Sequence, residues 1–261
     1  MPLFLKKRQN LTPPQPKARM IAVDDPGHLG FDYTIRLSRR QSAAIEIRHG
    51  KVLVAAPHRT AQRDLKLWVE QKAHWIRSKL KQQAQRQAQI PTPQFSEGET
   101  WPWLGHPMTL SIRQGKQLGA QHHGQSLFIS LSPRSRKPAA DQIKTALQSW
   151  YQQQALTLLE TKTQSTCARL QQLGYSVQHT RTQLRRTKSK WGHCTRQGVI
   201  QYNWLIAQAP EWVVDYLVVH ECCHLVHHNH SRTYWNLVAT LYPDYALARQ
   251  WLNQHGHTLT L

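Results

Sequence analysis

The sequence predicts an α+β chain: an antiparallel β-rich N-terminal part followed by a largely helical C-terminal part. Three observations predict it. Short runs of alternating apolar and polar residues recur between residues 33 and 131, the period of a half-buried strand. Residues 141–173 carry apolar side chains at helical spacing. A further helical pattern begins at Pro210 and holds His220-Glu221-Cys222-Cys223-His224, with His230 six residues beyond.

Residues 1–27 are rich in proline and basic side chains and are expected to be a flexible tail. A β-rich domain is expected over 28–138. Tyr33-Thr34-Ile35-Arg36-Leu37 and Ala44-Ile45-Glu46-Ile47-Arg48 alternate cleanly. His49-Gly50-Lys51 then turns into Val52-Leu53-Val54-Ala55, which predicts an antiparallel hairpin. Residues 60–80 form an amphipathic helical pattern with Leu65, Trp68, Val69, Lys72, Trp75 and Ile76 on one side. Its Gln/Arg-rich continuation stops at Ile90-Pro91. Met108, Leu110 and Ile112 mark another strand, and Leu127, Ile129 and Leu131 a further one. No internal repeat is legible.

The second domain is expected over 139–261. Ile143, Leu147, Trp150, Tyr151 and Leu158 share one face of its long helix, and Gly174 is the stop signal. Residues 177–204 return to a strand pattern, with 199–204 as a candidate edge strand. Pro210 suits the first turn of the next helix, and Glu211 and Asp215 place acid at its positive end. Trp212, Val213, Tyr216, Leu217 and Val219 are expected to bury it. Asn229 is a candidate left-handed residue ending that segment, and Ser231 an N-cap. Two short helices, 231–241 and 244–255, follow on either side of Pro243.

The histidine-bearing helix carries the chemistry. Residues four apart lie on one helical face, so His220 and His224 can grip one ion together. Glu221 sits beside the first ligand, where its carboxylate can act on a water molecule rather than on the metal. Two imidazoles, a general base and an open coordination position are what metal-assisted hydrolysis requires. Seven residues of helix would put His227 about 10 Å from His220, so His230 is the expected third ligand and His227 the fallback. Three imidazoles suit zinc best, one ion per chain.

Several segments resemble the YgjP-like metallopeptidase family in order and spacing. They are Lys190-Trp191-Gly192-His193-Cys194, the strand pattern over 199–206, Ala209-Pro210, the run 218–225 containing HExxH, and Asn229-His230-Ser231 followed by Trp235. The resemblance extends over about residues 33–256 and includes Arg39-Arg40, Ala56-Pro57, Trp75-Ile76, Gly98-Glu99 and Leu104-Gly105. It implies a minimal zincin-like domain behind the β-rich part, and zinc-dependent hydrolysis of peptide bonds. His220, His224 and His230 match the family's ligands and Glu221 its catalytic glutamate. The chain departs from the pattern at Lys190, where the family has arginine, and at His193, where it has a small residue. Candidate transition-state donors are Tyr234, His193 and Tyr202. A zincin-like layout further implies that a strand before the metal helix pairs with an extended peptide.

Charge and cysteine usage set the wider frame. The net charge is +20, and 32 of the 34 Lys and Arg precede residue 199 against 10 of the 14 acids. Such basicity is an electrostatic footprint for polyanions. Arg181, Arg185, Arg186, Lys188 and Lys190 lead directly toward the catalytic segment and are candidate nucleic-acid contacts. Any such binding would be backbone-directed, because no helix-turn-helix, zinc-finger or RNA-binding signature is present. Four cysteines, two of them adjacent, make no disulfide framework and suit reduced cytoplasmic thiols. No run approaches eighteen apolar residues, so no membrane span is expected, and the N-terminus lacks a signal-peptide core. Alternatives to a zinc peptidase with a peptide or protein substrate are a nucleic-acid-associated protease of the SprT-like type and a non-catalytic basic binding module with a structural metal.

Overall fold

The computed structural model describes residues 18–25, 27–187 and 189–261. The chain divides into two compact units, Met1–Gln89 and Ile90–Leu261. The division falls after Gln89, whereas the sequence suggested a boundary near 138. The second group of strands joins the long helix in one core, which periodicity alone does not reveal.

The first unit holds strands β1 (Arg19–Val23), β2 (Tyr33–Ser38), β3 (Ala44–Arg48) and β4 (Lys51–Pro57), then helices α1 (Gln62–Gln71) and α2 (Ala73–Ala88). Most of the expected tail lies outside the described residues. Its described end is not a tail, because β1 pairs antiparallel with β2, Arg19 opposite Leu37 and Val23 opposite Tyr33. Ile21 and Val23 pack on a core of Ile35, Val54, Val69 and Ile76. The β3–β4 hairpin is as expected: His49 and Gly50 both have positive φ (50° and 73°), the conformation of a tight primed turn. The single helix expected over 60–80 is broken at Lys72 (φ −95°, ψ 2°). That break leaves Trp75 44 % exposed while Ile76 is buried.

The second unit opens with β5 (Thr100–Trp103), β6 (His106–Gln114), β7 (Gly119–His123) and β8 (Ser126–Leu131). Its sheet order β5-β6-β8-β7 repeats the order β1-β2-β4-β3 of the first unit. The directions repeat too: antiparallel, parallel, antiparallel in both sheets. Two expectations are corrected here. The sheets are mixed rather than purely antiparallel, since each hairpin inserts its second strand beside a parallel neighbour. An internal structural repeat also exists. It escaped the sequence because it lies in strand order and direction, not in residue identities.

Helix α3 (Ala139–Gln172) then runs 34 residues and forms the spine of this unit. It buries Ile143, Leu147, Trp150 and Tyr151 as expected, with Leu159 rather than Leu158 continuing the face. Gly174, at φ +86°, ends it, and the amides of Gly174 and Tyr175 close back on Gln171 and Leu170. Strands β9 (Arg181–Arg185), β10 (Gly192–Cys194) and β11 (Val199–Asn203) make a three-stranded sheet in the order β10-β11-β9. Strand β11 is therefore central and not the expected edge. It is parallel to β9 and antiparallel to β10, and Ile200, Tyr202 and Asn203 are buried on it. The edge beside the histidine-bearing helix is β10.

After a 3-10 turn, α4 (Glu211–Cys223), α5 (Arg232–Leu241) and α6 (Tyr245–His255) complete the unit. Val213, Val214 and the run from Tyr216 to Val219 are buried, whereas Trp212 is 40 % exposed. Lys162 on α3 reaches Glu211 (2.8 Å) and Asp215 (2.6 Å) at the start of α4, tying two acids at the positive helix end to the long helix. No helix among the described residues is long and apolar enough to cross a membrane.

Candidate metal centre

The centre is built where α4 stops. His224 is the C-cap of α4, and the amides of Leu225, Val226 and His227 close on Cys222 and Cys223. The chain turns there, and it does so without Asn229 becoming left-handed, since Asn229 is not among the positive-φ residues. Asn229 instead accepts the Ser231 amide (3.3 Å). Ser231 caps α5 as expected, accepting the Tyr234 amide (3.3 Å). This return brings His230 onto His220, with the two Nε2 atoms 3.3 Å apart.

His220, His224 and His230 present one nitrogen each, all within 4.8 Å of one another. Among the described residues no other group of three or more His, Cys, Asp or Glu converges in this way. Two nitrogens bound tetrahedrally to zinc, each about 2.0–2.1 Å away, would stand about 3.4 Å apart, close to the His220–His230 spacing. The orientation of both α4 histidines also fits. His224 Nδ1 lies 3.0 Å from the His227 carbonyl, so it donates and leaves Nε2 free. His220 Nδ1 lies 3.3 Å from the Tyr216 hydroxyl, which turns its Nε2 toward His230. Burial and then the neighbouring His224, His230 and Arg249 charges hold His220 down at about 3. Burial likewise lowers His224. Neutral imidazoles are the form a metal needs. The residues present therefore fit a metal ion of the zinc type.

Glu221 is 3 % exposed and packs against Gly192 of β10, where any Cβ would overlap its carboxylate. Burial pushes its carboxyl up to about 8, against the pull of Lys190. A dication beside it would draw that value back down. The centre faces a cavity of about 810 Å³ bounded by β10, α4 and α6.

The remaining expected residues distribute unevenly. His193 is exposed on β10 and lines the cavity. Tyr234 does not face it: its ring is buried and its hydroxyl donates to the His220 carbonyl at 3.0 Å. Tyr202 is fully buried, with its hydroxyl 2.9 Å from Thr163 Oγ1 behind the sheet. Both tyrosines are candidate donors in the sequence, but core burial and these internal hydrogen bonds take their hydroxyls away from the cavity. His227, the fallback ligand, contributes only its carbonyl to the cluster and sets its ring against Tyr175. Of the basic candidates, Lys190 lines the cavity and Lys188 lies outside the described residues. Arg186 is engaged internally, donating to the Leu261 carbonyl (2.6 Å) and lying over Trp204. Arg181 sets its guanidinium against the Gln183 amide. Arg185 is exposed along a neighbouring groove.

Two contributors went unnoticed in the sequence. Tyr216 reads in the sequence as a core residue, although its place four before His220 puts it on the ligand face. Arg249 carries no local signal, because it reaches the site from a separate helix. It lies over Trp235 at 4.7 Å, and Trp235 in turn stacks on His230.

Comparison with curated proteins gave no match, and comparison with solved structures gave none either. The sequence profile of the YgjP-like metallopeptidase domain matches residues 41–255, a span that includes every residue of the histidine centre and most of both units. This chain belongs to the YgjP-like metallopeptidase family.

Proposed function

We propose that the chain is a zinc-dependent peptidase, with His220, His224 and His230 as ligands and Glu221 as general base. The observation that carries this reading is the convergence of three imidazole nitrogens next to a buried carboxylate at the floor of an open cavity. Three protein ligands and an open side are the pattern of a catalytic zinc, whereas a structural site is closed by a fourth. Zinc bound there would polarise a carbonyl and raise the acidity of water.

The chain's own residues then have separate tasks. Tyr216 and the His227 carbonyl hold the two α4 ligands in the tautomer that presents Nε2. Glu221 accepts a proton from the attacking water and returns it to the leaving amine. Its contact with Gly192 fixes where that proton is taken. The outer edge of β10 offers main-chain N–H and C=O groups to an extended peptide, the role that the family resemblance implied for the strand over 199–204. His193, which alone of the three expected donors lines the cavity, is the side chain available to a developing oxyanion.

The test is metal content by mass spectrometry together with cleavage of an unfolded protein. Wild type should hold one zinc and cleave, and His230→Ala should lose or weaken the metal. Glu221→Gln should keep the zinc while turnover falls about 10²–10⁴-fold. A Gln variant that still turns over at the wild-type rate would remove Glu221 from the mechanism.

A further inference from the structure

The walls of the cavity carry uncompensated positive charge. Lys190 and Arg196 stand before and after β10 on one wall, and Arg249 projects from α6 on another. All three are exposed, and among the described residues none forms an ion pair. Among the described residues the only carboxylate lining the cavity is Glu221, which is buried. Nearby acids are spent elsewhere, since Glu211 and Asp215 both pair with Lys162.

Arg249 is the best organised of the three. Its guanidinium lies 4.7 Å over the Trp235 ring, and that ring also stacks on His230 and on Tyr245, with centroids 5.5 and 5.3 Å apart. An arginine held over an aromatic ring can keep N–H donors free and loses less freedom on meeting a carboxylate. It also stands one ring away from a metal ligand, so a partner of Arg249 is a group close to the bond being cut.

We propose that the cavity selects acidic polypeptide segments, with Arg249 as the main carboxylate-binding residue and Lys190 and Arg196 as supporting charges along β10. This rests on the peptidase reading above. A polypeptide is favoured over a nucleic acid because the cations flank an open strand edge, whose alternating N–H and C=O groups match a peptide main chain and not a phosphodiester. Of the basic residues that sequence offered to nucleic acid, Arg186 is tied to the Leu261 carbonyl and the Trp204 ring.

The experiment uses the full chain loaded with zinc, and its Glu221→Gln variant. Unstructured peptides of one length are compared, with Glu, Gln or Lys on both sides of a central apolar bond. Cleavage is read as kcat/KM on wild type, and binding as fluorescence anisotropy on Glu221→Gln. The Glu peptide should be preferred over the Lys peptide by about tenfold or more in both readouts, the margin shrinking as salt rises. Arg249→Gln should erase most of that margin through KM, and Arg249→Glu should turn the preference toward the Lys peptide, with zinc content unchanged. A purely structural arginine would not reverse selectivity. Equal treatment of the three peptides overturns the proposal. So does a single-stranded oligonucleotide that binds in an Arg249-dependent manner where the Glu peptide does not. If no peptide is cleaved yet the Glu peptide binds selectively through Arg249, the peptidase reading fails and carboxylate recognition stands.

Discussion

A Cβ at Gly192 would come within 2.6 Å of Glu221 Cγ and overlap its carboxylate, so the absence of a side chain there is what lets Glu221, the proposed general base, lie against β10. Gly192→Ala forces either the strand or the carboxylate to shift. Because catalytic geometry is sensitive to displacements of about 1 Å, kcat/KM should fall about 10²-fold or more. The three histidines are untouched, so zinc content by mass spectrometry should stay at the wild-type level. Normal activity in that variant would show that Glu221 has room the packing denies it. The neighbouring Cys222 and Cys223 illustrate the opposite case. Both are fully buried free thiols, Cys222 pointing toward the Thr163 carbonyl of α3, and they serve as small packing groups in the two positions between Glu221 and His224.

At the scale of elements, the start of the metal helix is set by a hairpin tip far away in sequence. Leu104 and Gly105 both have positive φ (51° and 83°) and form the β5–β6 turn. The Leu104 amide donates to the Ala207 carbonyl at 2.8 Å, and a Cβ on Gly105 would lie 2.9 Å from Pro210 Cα, immediately before α4. Gly105→Ala therefore meets both an unfavourable backbone conformation and a contact with main chain. The cost should be about 2 kcal/mol, a fall in Tm of roughly 4–8 °C for a unit of this size. A thermal melt checks it, and an unchanged Tm would mean that the hairpin tip does not bear on the helix. The expected edge strand belongs to this scale as well. Residues 199–204 do form a strand, but whether a strand is central or edge depends on its neighbours. The neighbours of β11 are β9 and β10, two segments that both precede it in the chain and end up on opposite sides of it in the sheet.

For the whole molecule, every residue of the candidate centre lies in the unit Ile90–Leu261. That unit has its own core, from Trp101 and Leu110 through Tyr151 and Leu159 to Val218 and Leu237. The first unit buries a separate set, from Leu29 to Ile76. A chain of residues 90–261 should accordingly unfold cooperatively and retain one zinc, as measured by circular dichroism and mass spectrometry. An unfolded or metal-free product would show that the first unit is needed to assemble the second. The shared strand order of the two units makes this a direct comparison, because only the second copy is continued by α3 and the histidine helices.

Much of this is legible in the sequence alone. The HExxH spacing fixes His220 and His224 on one face, since that depends only on the helical period. Ser231 as a cap and the β3–β4 turn depend only on neighbours within a few residues. His230 ranks above His227 in the sequence because a helix continued to 227 would carry that residue about 10 Å from His220; the helix ends at Cys223, and His227 sets its ring against Tyr175 instead. Tertiary structure alone decided the rest. It set the order of strands in each sheet, the edge position of β10, the burial of Tyr202 and Tyr234 away from the cavity, and the arrival of Arg249 from α6. The division follows from the range of the forces involved. Helical period, turn conformation and capping are local and written in adjacent residues, whereas strand pairing, burial and the charge lining a cavity depend on contacts between segments tens of residues apart.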